Sequence, residues 1–256
     1  MPNIKRAMMG VAAGCSQEYP AGGVRFDGTN DYLAIQSDLT GAADGPYVLV
    51  SFWFQMLGND AVDNDIFYPG GTFRMRIQRE GSGVFNTVWR NTAGANSFIC
   101  QSTSGVNYNS TTNTGWHHFL FAINQSTPVV EMYIDDADVA ASPSASSTGT
   151  LEQTFPSWGV GAQPNGSKKL NGDMAEFYYT NEFLDISVES NRRKFISAAG
   201  QPVDLGANGS DPTGTQPLIY FRRAPADAAS TFGTNLGSGG AFSITGTLTN
   251  SADNPC

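Results

Sequence analysis

Adjacent histidines, short acidic runs, carboxylates on strand-like segments and scattered aromatics are the residues of this sequence that could do chemistry. His117 and His118 are neighbours, so on a strand their side chains point to opposite faces. No Gly-x-Ser-x-Gly elbow supplies either with a nucleophile, and a buried, hydrogen-bonded histidine behind Trp116 is expected rather than a general base. The runs Asn59-Asp60-Ala61-Val62-Asp63-Asn64-Asp65 and Asp135-Asp136-Ala137-Asp138 could offer oxygens to a hard cation such as Ca²⁺. Neither has the Asp-x-Asn-x-Asp-Gly form with a distal Glu, so turn capping is expected of both and no cofactor is expected. Cleaving a glycosidic bond takes two carboxylates, about 5–5.5 Å apart for retention or about 6.5–9.5 Å for inversion. Asp173 and Glu176 lie three residues apart and should face opposite sides of a strand, while the acids of Glu131–Asp136 have the wrong parity. No catalytic residue is expected. Trp89, Tyr108, Trp158 and Tyr178 are candidate stacking faces for a sugar, with Asn, Gln and Asp to bond its hydroxyls. Aromatic side chains of a sandwich go mainly to its core, which weighs against each of the four.

Strands must position these groups. Val48, Val50, Phe52, Phe54 and Met56 share one parity and Leu49, Ser51, Trp53 and Gln55 the other. Phe73, Met75 and Ile77 alternate with Arg74, Arg76 and Gln78, the pattern of a strand with one wet face. Val130, Met132 and Ile134 alternate with polar residues, and Phe242, Ile244 and Leu248 share a parity. Trp116–Ile123 is apolar on both parities, as for a strand covered on both sides. Asp27-Gly28, Pro69-Gly70-Gly71, Gly81-Ser82-Gly83, Asn165-Gly166 and Asn171-Gly172 punctuate the runs. Only Ile186–Ala198 reads as a helix, with Asp185 or Ser187 as its cap and Gly200 and Pro202 as its stop. Ala140–Thr150 and Leu205–Thr215 read as exposed loops. Many short strands and one short helix in the C-terminal half predict an all-β antiparallel sandwich or jelly roll, residues 21–256, preceded by an arm over 1–20.

Bulk composition narrows the classes of function. The 256 residues hold 14 Lys and Arg against 23 Asp and Glu, a net charge of −9. That balance, with no basic run beyond Arg192-Arg193-Lys194, disfavours nucleic acid and anionic membrane surfaces as partners. No apolar run approaches the ~18 residues of a membrane span. Cys15, Cys100 and Cys256 are an odd number without metal-site spacing, and free thiols in a reducing compartment are expected. The opening Met1–Cys15 ends in Ala-Ala-Gly-Cys and superficially resembles a bacterial lipoprotein signal. Its apolar stretch, Ala7–Gly14, is short and contains two glycines, so an assembly-anchored arm is expected instead.

Several phrases then resemble the concanavalin A-like, laminin-G-like jelly rolls. Val24–Leu33 is similar to their opening hairpin and Val48–Phe54 to their second long strand. Gly115-Trp116-His117-His118-Phe119, followed by Val130–Asp136, is similar to their Trp-x-His strand and Tyr-x-Asp turn, and Leu170–Phe177 to a late Gly-x-apolar-x-Glu strand. The resemblance spans Gly23–Ala198 and implies a two-sheet body with lectin-like use; some such domains hold one Ca²⁺ at a loop rim. Enzymes of this fold carry Glu-x-Asp-x-x-Glu, or a form one residue shorter, on one strand, and neither occurs here. Arg192–Ile196, Gly200–Gly206 and the opening Ile4–Gly10 look like versions of the domain carried on tailed-bacteriophage particles. The resemblance therefore implies a non-enzymatic virion component, on capsid, tail or fibre, assembled in the bacterial cytoplasm. Its expected partners are other virion proteins, further copies of itself and host-surface carbohydrate, with Met1–Tyr19 and Leu218–Cys256 as subunit contacts. A secreted bacterial glycan-binding protein or glycoside hydrolase is the alternative.

Overall fold

The computed structural model describes residues 19–71, 75–103, 106–145 and 149–255. The arm over 1–20 (all but its last two residues), the signal-like opening, Cys15, Cys256 and the Phe73-Arg74 start of one expected strand lie outside these residues. In chain order the strands are β1 (Val24–Asp27), β2 (Tyr32–Ile35), β3 (Tyr47–Met56), β4 (Asn64–Pro69), β5 (Met75–Arg79) and β6 (Phe85–Arg90). There follow β7 (Asn96–Ser102), β8 (His117–Asn124), β9 (Val129–Ile134), β10 (Ala137–Asp138), β11 (Ala140–Ala145) and β12 (Trp158–Val160). The last are β13 (Asn171–Thr180), the single helical turn α1 (Glu189–Arg192), β14 (Ile219–Phe221), β15 (Ser243–Thr245) and β16 (Thr249–Asn250).

Two sheets face one another. Sheet A runs β10-β9-β8-β3-β13-β1-β16, with β14 also on β13, and sheet B runs β11-β7-β6-β5-β4-β12-β2-β15. Every strand pair is antiparallel, so the expected all-β sandwich of the jelly-roll type is what forms. The even-numbered residues of β3 (Val48, Val50, Phe52, Phe54 and Met56) join Phe67, Phe85, Trp89, Phe119, Phe121, Trp158 and Phe177 in the layer between the sheets. Burying each such aromatic stabilises the fold by about 1.5–3 kcal/mol before entropy is counted. Phe52 stacks on Phe119 at 4.7 Å and on Phe177 at 5.9 Å.

The outer face of sheet A is apolar as well, and water cannot be left against it. Leu49, Leu120, Ala122 and Tyr178 are covered there by Ile186, Phe195 and Leu205, and Trp53 and Ala175 by Ile196. This explains why β8 reads as apolar on both parities. Residues 183–205 form the cover, and within them the spacing of Ile186–Ala198 suggested a short helix. The helix is one turn only: its N-cap, Val188, is extended and makes no side-chain cap, and none of its residues is buried. Asp185 caps the preceding turn, accepting from the Ser187 amide at 3.0 Å and from its hydroxyl. Arg192 and Arg193 pin the turn to Asp136 of the β9–β10 hairpin.

Two more expectations change. Ala140–Thr150 is not wholly loop, because β11 adds an edge strand to β7. Leu205–Thr215 is turns, but Leu205 is buried in the cover. The C-terminal strands join the two sheets, β14 pairing with β13, β15 with β2 and β16 with β1, and the edge strands β15 and β16 keep exposed residues.

Candidate functional site

The four stacking candidates from the sequence are core residues. Trp89, Trp158 and Tyr178 are 0% exposed and Tyr108 is 5% exposed, so none turns a ring face to solvent. The alternation of β6, β12 and β13 aims these rings at the opposite sheet or under the cover, which overrides their suitability for sugar.

The histidines point to opposite faces of β8, as their adjacency requires. His118 is buried beneath the cover, with Nε2 2.8 Å from Ser51 Oγ and its ring against Trp53 rather than Trp116. Burial holds its pKa down at about 3, so it is neutral. His117 Nδ1 sits 2.6 Å from Asp135 Oδ2 and Nε2 2.8 Å from the Asn113 carbonyl. Burial pulls the His117 pKa down, but the Asp135 carboxylate and the Asn113 carbonyl outweigh it and the net shift is upward.

The acidic loops use their carboxylates to cap turns and join neighbouring loops. Asp60 accepts from the Ser110 amide and hydroxyl, Asp63 from Lys168 and the Gly81 amide, and Asp65 from Gln78 and Gln163. Asp135 accepts from His117 and the His118 amide, and Asp138 from the Ala140 amide. Ca²⁺ needs six to eight oxygens.

One expectation about the acids is overturned. β13 pairs with β3 at Ala175 opposite Trp53 and again at Tyr178 opposite Ser51, leaving two residues of β13, Glu176 and Phe177, against Phe52 alone. The extra residue is a β-bulge, and Glu176 takes it up with a left-handed φ of 50°. Glu176 is thereby turned to the outer face of sheet A, the side that carries Asp173. Asp173 is held by Arg25 and by the Ser251 hydroxyl. Glu176, 2% exposed, accepts from Tyr19 at 3.0 Å and Tyr220 at 2.8 Å. Burial pushes the Glu176 pKa up to about 7 against the opposing pull of those hydrogen bonds and of Arg222.

The arrangement best suited to a ligand lies where β3 begins and β13 ends. A cavity of about 450 Å³ is lined by Tyr47, Asn181, Glu182, Phe183, Leu184, Lys194, Pro212 and Thr213. Its volume falls in the usual range for small-molecule sites, about 300–1,000 Å³. The two partly exposed aromatics, Tyr47 and Phe183, stack with centroids 6.0 Å apart. Asn181, Glu182, Thr213 and Lys194 surround them with hydrogen-bonding groups, and Lys194 Nζ donates to the Pro212 carbonyl at 2.7 Å. One buried polar atom here, Glu182 Oε2, has no hydrogen-bond partner among the described residues, and the Tyr178 hydroxyl lies buried beneath, hydrogen-bonded with the Thr213 side chain. Burial pushes the Tyr178 pKa up, with Thr213 beside its hydroxyl and the charge of Glu182 in reach.

Sequence reasoning missed Tyr47, Phe183, Glu182 and Lys194. The strand register contained a signal: Thr180 faces Leu49, so the pairing carried two residues further brings position 182 beside Tyr47. A larger cavity, about 530 Å³, lies over the 197–204 turn and is bordered by Tyr19. Its one aromatic ring is already covered by Arg222 at 5.4 Å. A smaller groove of about 240 Å³ on sheet B holds Tyr68 among Gln36, Ser157, Gln163 and Asn165.

A two-sheet antiparallel jelly roll with a polar, aromatic-bearing cavity at its rim defines a lectin-like architecture. The chain matches the concanavalin A-like lectin/glucanases superfamily over residues 27–185, more than half its length, and it belongs to that superfamily. No curated protein matches it in sequence. Its structure is similar to a Bacteroides ovatus protein described as a candidate carbohydrate binding protein, at 13% identity and a TM-score of 0.57. That likeness covers 93% of this chain and 62% of the other. The native heptameric SAP-like pentraxin of Limulus polyphemus is similar at 11% identity and TM-score 0.48, over 65% of this chain and 79% of that one. The LG4-5 domains of the mouse laminin alpha1 chain are similar at 12% identity and TM-score 0.46, over 66% and 44%. At such identities the likeness concerns the fold. The chain spans less than two thirds of the Bacteroides protein and under half of the laminin fragment. Among the described residues no helix is long and apolar enough to cross a membrane.

Proposed function

We propose that this protein is a non-enzymatic glycan-binding module and a structural component of a bacteriophage particle, where it binds host-surface carbohydrate. The observation that carries the binding role is the Tyr47–Phe183 cavity, in which a partly exposed aromatic pair is ringed by an amide, a carboxylate, a hydroxyl and an ammonium. Sugars are held by this combination, an apolar ring face against C–H groups and a few polar groups for the hydroxyls. Membership of a lectin-containing superfamily supports the same role. The particle assignment rests on the resemblance of Arg192–Ile196 and Gly200–Gly206 to phage-borne versions of the domain; both phrases lie in or next to the cover over sheet A. Assembly in the bacterial cytoplasm agrees with Cys100, a free thiol in the core. Further copies of the chain and other virion proteins are its proposed partners.

A glycan array of bacterial surface polysaccharides tests the binding role. Binding that is lost in Tyr47→Ala and Phe183→Ala supports it, and no binding by the wild-type protein overturns it. Mass spectrometry and cryo-microscopy of purified particles test the location: hundreds of copies indicate capsid decoration, a few dozen a tail or fibre, and absence refutes it.

The glycoside hydrolase alternative has one observation in its favour, the bulge that brings Glu176 to the face bearing Asp173. Against it, Asp173 is tied to Arg25, and Glu176 is sealed between two tyrosines. Turnover of a β-glucan that disappears in Glu176→Gln would establish the enzyme.

A further inference from the structure

The Tyr47–Phe183 cavity holds a negative and a positive charge that do not answer each other. Glu182 follows the end of β13, where the strand register carries it beside Tyr47, and Lys194 comes from the cover beyond α1. Both line the cavity and both are partly buried. Among the described residues neither has an ion-pair partner, and they are not paired with one another. Glu182 Oε2 has no donor against it, and a carboxylate oxygen can only accept. Lys194 Nζ gives one of its three N–H groups to the Pro212 carbonyl at 2.7 Å, a bond that holds the ammonium in place without neutralising it. The arginines that precede it, Arg192 and Arg193, are taken by Asp136 and Glu189 and do not offset Glu182. A charge drawn part of the way out of water is unfavourable until an opposite charge meets it.

A guest that satisfies both groups must carry a cation and an anion. We infer that the cavity selects zwitterionic amino sugars, with the sugar ammonium against the Glu182 carboxylate and the Tyr47 ring, and an acidic substituent against Lys194. The inference rests on the glycan-binding reading above. The aromatic pair favours the same polarity, because a ring face attracts a cation within about 6 Å and Tyr47 stands on the Glu182 side. A neutral sugar leaves both charges unanswered. An amine without an acid meets Lys194 as a like charge, and an acid without an amine meets Glu182 in the same way. Lys194 acts as a point charge rather than a planar fork, so phosphate and carboxylate both suit it. Leu184 and Pro212 remain for the C–H groups of the sugar ring, and Asn181 for its hydroxyls.

Calorimetric titration of the full chain with a charge series, in gluco and galacto configurations, is the test. Each series contains the parent hexose, its 2-amino form, its acidic form and the form bearing both groups. The acid is supplied once as a 6-phosphate and once as a uronic acid, which tells the two anions apart. At least one doubly charged sugar is expected to bind about ten times tighter than its parent hexose or more, and tighter than either singly charged form. Glu182→Gln should bring the ratio of amino to hydroxy sugar toward one. Lys194→Met should do the same for the ratio of acidic to neutral sugar, and Lys194→Arg should keep that ratio. The wild-type series is decisive without any variant: equal binding of all four forms, or a preference for one charge alone, overturns the inference. Where such binding is lost in Tyr47→Ala, the glycan-binding reading stands. A zwitterion preference unmoved by both Glu182→Gln and Lys194→Met would also overturn it, as would binding on the array with none in the series. No binding in the series or on the array would remove both readings.

Discussion

The Tyr220 hydroxyl donates a 2.8 Å hydrogen bond to Glu176 Oε2, joining the bulge of β13 to the neighbouring strand β14 beneath a surface that water does not reach. Tyr19 closes the other oxygen of the same carboxylate. Burial makes this acid bind its proton more tightly in the folded chain than in the unfolded one.

The sign of the pH effect follows. A carboxyl whose folded pKa is raised from 4.5 to about 7 is protonated in the folded state, and ionised in the unfolded state, between those values. Stability therefore rises as pH falls through that window, by about 3 kcal/mol for a shift of this size. Glu131, raised to about 7 chiefly by burial, acts in the same direction. Urea unfolding from pH 8 to pH 5 should show this rise, and Glu176→Gln should flatten it while raising stability at pH 8. A Glu176→Gln profile parallel to the wild type would disprove the assignment.

His117 works in the opposite sense. Its pKa is raised in the folded protein, so its pairing with Asp135 stabilises fully below about 6.5 and fades as pH climbs through the folded value. Asp135 is well exposed, which keeps the contribution to about 1 kcal/mol or less. His117→Gln should lower the melting temperature at pH 5.5 by more than at pH 8.5.

Two glycines separate steric from conformational strain. A Cβ on Gly172 would stand 2.4 Å from the Gln55 carbonyl oxygen of the paired strand, so Gly172→Ala should destabilise by about 2–3 kcal/mol. Gly200 has open space around it but a φ of +75°, so Gly200→Ala should lose only about 1 kcal/mol. Chemical denaturation of the two variants side by side checks the order.

Cys100 lies in the core, and burial pushes its thiol up to about 12. Thiolate is the reactive form. Iodoacetamide at pH 8 should therefore leave Cys100 unmodified in the folded protein and label it in urea, as read by peptide mass mapping.

How much of this was legible beforehand depends on the range of the interactions. The β3 residues Val48 to Met56 declare their face by period two, and β8 declares burial on both sides, because alternation is local. The helix expected over Ile186–Ala198 forms only as the single turn Glu189–Arg192, because Phe195 and Ile196 are buried by tertiary contact with Tyr178 and Trp53, not by helical repetition. The bulge at Glu176 was invisible because nothing in Asp-Met-Ala-Glu marks an extra residue; the register against β3 creates it. Trp89 and Trp158 were nominated for chemistry that any ring can do, and the core claimed them. Tyr47 and Phe183 are far apart in sequence and meet only through the pairing of β3 with β13.

The cavity is assembled from two sources: Tyr47, Asn181 and Glu182 belong to the sheet body and its exit, while Phe183, Leu184, Lys194, Pro212 and Thr213 come from the cover and the turn after it. A guest touching both walls acts as a clasp between them. Its binding free energy then opposes detachment of the cover, by about 2.7 kcal/mol at a hundredfold excess over Kd. Occupied molecules should accordingly resist proteases cutting within 183–215, so that digestion rate becomes a measure of saturation.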